Sequence, residues 1–249
     1  MNAPSSAPAG DVEVDSADGV VTIRFNRPAK RNAMTSAMYA TIADALEVAN
    51  TDDTAVVVFT GVGGAFTAGN DLRDMMENPP LGDNPPPVRF LTAMIELRAV
   101  VVAAVDGPAI GVGTTLLGHC DLVYATARST FRLPFVNLGL VPEAASTLLL
   151  PRLVGHQRAS ELMLFGEPFD AEAAQAMGLV TAVVPDASAL ATVVSERTGA
   201  LRDKPREALL AVKALLRDET ATTVPARLKL DTGVLQGLIA KMPPPPSRR

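Results

Sequence analysis

Two stretches of this chain join a short apolar run, a glycine turn and a helix start. The first is Phe66-Thr67-Ala68-Gly69-Asn70-Asp71-Leu72, preceded by Ala55-Val56-Val57-Val58-Phe59-Thr60 and by Gly61, Gly63 and Gly64. The second is Ala109-Ile110-Gly111-Val112-Gly113-Thr114-Thr115-Leu116-Leu117-Gly118, which follows Val100 to Val105 and Asp106-Gly107-Pro108. Short β-branched runs closed by glycine read as buried strands. A helix opening after each turn leaves backbone N–H groups without intrahelical partners. Small residues such as Ala68, Gly69 and Gly111 let a ligand come close to the main chain. Two such turns can aim two amides at one oxygen on which negative charge develops. Taken singly, each is also an ordinary strand-to-helix connection, with Asn70 or Asp71 as its cap.

Acid–base chemistry needs a titratable group near those amides. Glu143, in Leu140-Val141-Pro142-Glu143-Ala144-Ala145-Ser146, is one candidate. Proline followed by an acid is equally the chemistry of a helix start, so a helix from Pro142 towards Leu150 is expected. Asp71 competes with it but reads as the cap of the helix after the first turn. His119 and Cys120 fall beside a strand on an apolar face and read as core.

Other chemistries are excluded. His119 and His156 lie far apart, without metal-ligand spacing. No serine–histidine–aspartate elbow, Walker loop or dinucleotide glycine pattern is complete. Net charge −5 and a pI near 5.1 give no basic footprint for nucleic acid. No apolar stretch is long enough to span a bilayer, and Met1 to Gly10 has no basic signal-peptide region. One cysteine excludes an internal disulfide and favours a reducing compartment. The ending Ser247-Arg248-Arg249 is not a peroxisomal address. A cytoplasmic protein is expected.

The elements that must position these residues can be read in order. At 249 residues the chain forms one large domain, or one domain with an appendage. Residues 1–10 and 243–249 read as disordered tails. Glu13-Val14 and Val20–Phe25 read as strands around Asp18-Gly19. Thr35 or Ser36 caps a helix to Asn50, with Met38, Ile42, Leu46 and Ala49 on one face. From Arg73 to Arg89 the chain is rich in proline and asparagine, and Asn78 to Pro87 reads as a mobile loop bordering the site. Phe90 to Leu97 reads as helix, Asp121–Ala125 and Ser129–Leu133 as strands. Helices over Gly155–Phe165 and Ala171–Met177 precede a last strand, Val180–Val184. Beyond Pro185 the chain is nearly all helix and reads as a separate unit to residue 242. Strands alternating with helices give an α/β core with parallel strand pairs over residues 11–185.

Several motifs in register resemble the enoyl-CoA hydratase/isomerase (crotonase) superfamily. They are Asn26-Arg27-Pro28 with Asn32-Ala33-Met34, Phe66 to Leu72, Gly107-Pro108-Ala109-Ile110-Gly111, and Cys120-Asp121-Leu122-Val123-Tyr124-Ala125. The resemblance implies a spiral of repeated ββα units with a C-terminal helical trimerisation region. The assembly implied is a homo-trimer or a dimer of trimers. It implies an enoyl-CoA thioester as substrate, with coenzyme A as part of that substrate and no further cofactor. The amides of Ala68 and Val112 are then expected to hold the thioester oxygen. Ala33, Gly69, Asn70, Asp71, Leu72 and Gly111 are expected to line the substrate, and Lys30 and Arg31 to meet the coenzyme A phosphates. Lys241 is a further candidate for coenzyme A.

The departures narrow the chemistry. The two glutamates of the hydratases fall at Thr115 and Phe135, and neither residue is a carboxylic acid. Glu143 and its surroundings resemble the Δ3,Δ2-enoyl-CoA isomerase branch, where one glutamate shuttles the proton. Three readings stay open: an enoyl-CoA isomerase, a hydratase in which Glu143 activates water alone, and a non-catalytic acyl-CoA binding protein.

Overall fold

The computed structural model describes residues 10–217 and 222–241. The tails expected at residues 1–10 and 243–249 therefore lie outside the described residues, Gly10 apart. Among the described residues there are two sheets. The larger has the order β1 (Val12–Ala17), β2 (Val20–Phe25), β3 (Val56–Gly61), β4 (Val100–Val105), β6 (Leu122–Thr126) and β9 (Ala182–Val184). The smaller has β5 (Pro108–Ile110), β7 (Thr130–Arg132) and β8 (Phe169–Asp170). Only β1–β2 is antiparallel in the larger sheet, a hairpin turned by Asp18 and Gly19, both with positive φ. The other neighbours run parallel.

The chain repeats one pattern. A strand of the large sheet leads to a short strand of the small one, then to a helix: β4, β5 and α4 (Val112–Thr115), and β6, β7 and α5 (Ser146–Val154). In the β3 unit, Thr67 makes a lone parallel bridge to Ala109 before α2 (Leu72–Glu77). The two glycine turns are thereby brought side by side. Both faces of β3 and β4 are covered, which is why these strands are continuous apolar runs. One face packs on α1 (Ser36–Thr51) and α3 (Pro86–Glu96), with Ile42, Leu46, Phe90 and Met94 buried. The other packs on α8 (Ala187–Arg202) through Leu190 and Val193. The helical remainder thus begins by covering the sheet and does not stand apart from it. α9 (Arg206–Arg217) and α10 (Thr223–Ile239) follow, and α6 (His156–Phe165) and α7 (Ala171–Ala176) lie between α5 and β9.

Helix starts obey local capping. Thr35 accepts the amide of Met38 at α1, as its sequence position implies. The loop expected from Asn78 to Pro87 is shorter. Pro86 and Pro87 are the first residues of α3, after Pro85. Proline has no N–H, and the first helical turn needs none. What remains, residues 78–85, is tied to α10 by Gln236, whose amide donates to the carbonyls of Pro80 (2.9 Å) and Gly82 (3.0 Å). The helix expected from Pro142 instead starts at Ser146, because Ala144 and Ala145 take φ values of +59° and +51°. Glu143 therefore lies in a turn, and helix-start chemistry does not explain it. No helix among the described residues is long and apolar enough to cross a membrane.

Candidate active site

The two turns meet at glycine. A Cβ on Gly69, whose φ is +88°, would lie 2.9 Å from the Ile110 carbonyl oxygen and 3.9 Å from the Gly111 Cα. The contact with the Ile110 carbonyl, together with the positive φ, leaves no room for a side chain, so the sequence needs glycine at 69. Buried Asn32 braces the first turn from behind. Its side-chain amide donates to Val62 O (2.9 Å) and Ala65 O (2.7 Å), and its backbone carbonyl accepts from the Thr67 hydroxyl (2.7 Å).

The amides divide into used and free. The Ala68 N–H donates to Arg31 O at 2.9 Å. It is committed within the fold, which corrects the expectation that it serves as the first oxyanion donor. Gly69 N donates to the Thr67 hydroxyl at 3.1 Å. Asn70 forms a parallel bridge with Met34, in which Met34 N donates to Gly69 O and Asp71 N to Met34 O, both at 2.8 Å. In such a bridge the central residue's own N–H points away from its partner strand. The Asn70 amide therefore has no acceptor among the described residues. In the second turn Gly111 N is used by Arg132 O (2.9 Å). Val112 opens α4, so its amide has no intrahelical acceptor. The available pair is thus Asn70 and Val112. Asn70 has a second tie that sequence reading missed: the buried Tyr39 hydroxyl donates to its side-chain oxygen. Tyr39 was legible only as one more residue of α1.

Asp71 behaves as the expected cap. It accepts the amides of Arg73 and Asp74 and pairs with Arg27 at 2.7 Å. Burial pushes its carboxyl up, but Arg27 and the two amides outweigh this and hold it below the usual range. With its oxygens so engaged, it is not the acid–base group. Ala33 is anchored through its carbonyl to Arg27 (3.0 Å). Leu72 is exposed at the start of α2, and Lys30 and Arg31 are exposed beside the first turn. Lys241 is exposed just beyond α10.

Glu143 is 6% exposed and its Oε1 accepts the Thr115 hydroxyl at 2.5 Å. Thr115, met in the sequence as a missing acid, is therefore the glutamate's partner. Burial pushes the Glu143 carboxyl up to about 7; the Thr115 hydroxyl opposes this, and the charge of Asp231 on α10 adds to it. A carboxyl poised near neutrality can both take and return a proton. Burial, then the Glu143 charge, raises the Tyr39 hydroxyl well above its usual range, so Tyr39 stays protonated as a donor. Phe135 is buried, with its ring edge 3.9 Å from where a Cβ on Gly111 would stand.

Thr115 and Ser146, on either side of Glu143, also line an apolar cavity of about 260 Å³ with Leu133, Leu149, Leu150 and Leu179. A larger cleft of about 820 Å³, walled by α3 and α9, meets this machinery only at Gly118, His119 and Leu149. His119 is buried as expected, but it is more than core: its Nε2 lies 2.7 Å from the carbonyl oxygen of Ala144. No cluster of metal-ligating side chains occurs among the described residues.

A family model described as enoyl-CoA hydratase/isomerase matches residues 15–243. The chain belongs to the enoyl-CoA hydratase/isomerase family. It is 39% identical over 231 residues to enoyl-CoA delta isomerase 2 of Rattus norvegicus, covering 86% of this chain and 59% of that one. It is 36% identical to 2,3-dehydroadipyl-CoA hydratase of Escherichia coli, covering 84% of this chain and 82% of the relative. The chain spans 58–59% of the length of the mammalian delta isomerases it matches. An enoyl-CoA hydratase/isomerase structure from Pseudoalteromonas atlantica superposes with a TM-score of 0.89 at 39% identity, covering 93% of this chain and 92% of that one. The enoyl-CoA hydratase/isomerase fold is thus the crotonase α/β fold with a C-terminal helical region, as the motifs implied.

Proposed function

We propose that this protein is an enoyl-CoA isomerase that moves a 3-enoyl-CoA double bond into conjugation as the 2-enoyl-CoA. The observation that carries this is the state of Glu143: a buried carboxyl outside any helix, held by the hydroxyl of Thr115 on the helix that Val112 opens, with apolar Phe135 at the position that the family resemblance gives to a second acid. The thioester oxygen sits between the N–H groups of Asn70 and Val112. Ionised Glu143 takes a proton from C2, and the electron pair moves onto the thioester oxygen as a dienolate. The dienolate collapses, taking the same proton at C4, and the double bond lies between C2 and C3. Charge develops only at the oxygen the amides face, where one donor is worth about 10²–10³ in rate. The apolar cavity beside Thr115 takes the acyl tail, and Lys30 and Arg31 lie where the coenzyme A phosphates leave the site.

Hydration is the second reading, favoured by the similarity to the Escherichia coli hydratase. It asks one carboxyl to activate water and also to protonate C2. Trimeric assembly, partly through α8 to α10, and a cytoplasmic location accompany the proposal. Parallel assays on a 3-enoyl-CoA and a 2-enoyl-CoA test it. Conjugation of the first supports isomerisation, hydroxylation of the second supports hydration, and binding without change leaves an acyl-CoA binding protein.

A further inference from the structure

The turn carrying Glu143 is one the chain does not favour by itself. Ala144 and Ala145 both have positive φ, where a Cβ crowds the following carbonyl. Such strain persists only where the surroundings over-determine it. Part of the hold is local: the Ser146 amide (3.0 Å) and hydroxyl (2.6 Å) both donate to Glu143 O. The rest comes from one helical segment, α4 with the 3-10 turn Leu116–His119 that continues it. This segment begins with the free amide of Val112. Thr115 holds the Glu143 carboxylate, and His119, one turn on, holds the Ala144 carbonyl at 2.7 Å.

We propose that His119 is a positioning residue: its bond to Ala144 O fixes Glu143 relative to the Val112 amide, so that residues 112–119 set the distance between proton shuttle and oxyanion donor. This rests on the reading of Glu143 as the shuttle. A carbonyl oxygen only accepts, so Nε2 carries the proton. Burial pushes the imidazole down to about 4, so the ring stays neutral and keeps that tautomer's donor at ordinary pH. The far side is fixed as well, since Arg217 of α9 donates to the His119 carbonyl at 2.5 Å.

The test compares two amides of different reach. In His119→Gln the side-chain nitrogen replaces Nε2; in His119→Asn it stops short of Ala144 O. Wild type, both variants and Glu143→Gln are assayed on a 3-enoyl-CoA, with thermal melts to establish folding. His119→Asn is expected to lose about 10² in kcat with KM unchanged, the cost of misplacing a reacting group by about 1 Å. His119→Gln is expected to stay within a few-fold of wild type. Should the asparagine variant not fold, His119→Met, which fills the volume of glutamine without a donor, takes its place and must lose kcat equally. Normal turnover in the short or donorless variant overturns the proposal. So does an equal loss in His119→Gln, or a loss confined to KM. A wild type inert towards 3-enoyl-CoA refutes the isomerase reading itself; active wild type, silent Glu143→Gln and unaffected His119→Asn refute only the role of His119.

Discussion

Replacing Glu143 by glutamine should make the folded protein more stable, and increasingly so as pH rises. The carboxyl titrates near 4.5 when solvated and near 7 in its buried turn. Across that window the native state keeps a proton that the unfolded chain has released, so wild-type stability falls as pH increases. Each tenfold displacement of the equilibrium is about 1.4 kcal/mol. The full separation thus costs the wild type about 3 kcal/mol above about pH 8.5, and less than about 1 kcal/mol at about pH 5. Glutamine keeps an oxygen for the Thr115 hydroxyl and carries no proton to lose. Denaturant unfolding of both proteins at about pH 5, 7 and 8.5 measures the difference at each pH. Glu143→Gln should gain about 2 kcal/mol on wild type between the first and last, while losing isomerase activity by about 10²–10⁴. A stability difference that is flat with pH would mean that Glu143 is solvated in the native protein and that its burial does not set its basicity.

The same carboxyl should give kcat/KM an ascending limb near pH 7, the form with the proton removed being the active base. Asp231→Asn removes the charge that opposes Glu143 ionisation and should move that limb to lower pH; an unmoved limb in a folded variant would detach α10 from the site. Val112→Pro deletes one free amide at a position where a helix tolerates proline and should lose about 10²–10³ in turnover, whereas Val112→Gly keeps the donor and should change mainly acyl preference. Asn70→Pro should lose a similar factor, because the bonds of its bridge to Met34 use the amides of Met34 and Asp71; normal turnover in a folded Asn70→Pro would return the first oxyanion donor to another amide of the turn.

The fold was legible where one physical rule dominates. Val100–Val105 is a strand over the residues its apolar run implies, because a buried parallel strand needs uninterrupted β-branched or small side chains, and Val20–Phe25 is one because Val21, Ile23 and Phe25 alternate with less buried residues. A helix cap at Thr35 or Ser36 was readable because a hydroxyl there can accept an orphan amide; which of the two serves was not, since the amide and hydroxyl of Ser36 are taken by distant Asp74. Boundaries failed where two rules compete. Prolines suggest a loop at 85–87, yet they also suit a first helical turn, and the packing of Phe90 and Met94 under the sheet decides for the helix. Which amide of the Phe66–Leu72 turn is free could not be read, since it depends on Arg31 and Met34 arriving from more than thirty residues away. Tyr39 and His119 were hidden for the same reason: nothing in a buried aromatic or imidazole names the polar group that will stand against it.

The site reuses one physical condition for two ends. Taking Glu143 out of water raises its basicity, and this makes the folded state harder to keep as pH rises. The offset comes from neutral partners. The Thr115 hydroxyl stabilises the carboxylate, and His119 and Ser146 grip the carbonyls of its turn; none of them brings a positive charge that would drive the carboxyl back to its solvated range. A lysine or arginine at 115 or 119 would hold the turn as firmly and leave a carboxylate too weak a base to take a proton from carbon. Hydroxyl and neutral imidazole partners fit a carboxyl that must be fixed in place yet change its protonation state once per turnover.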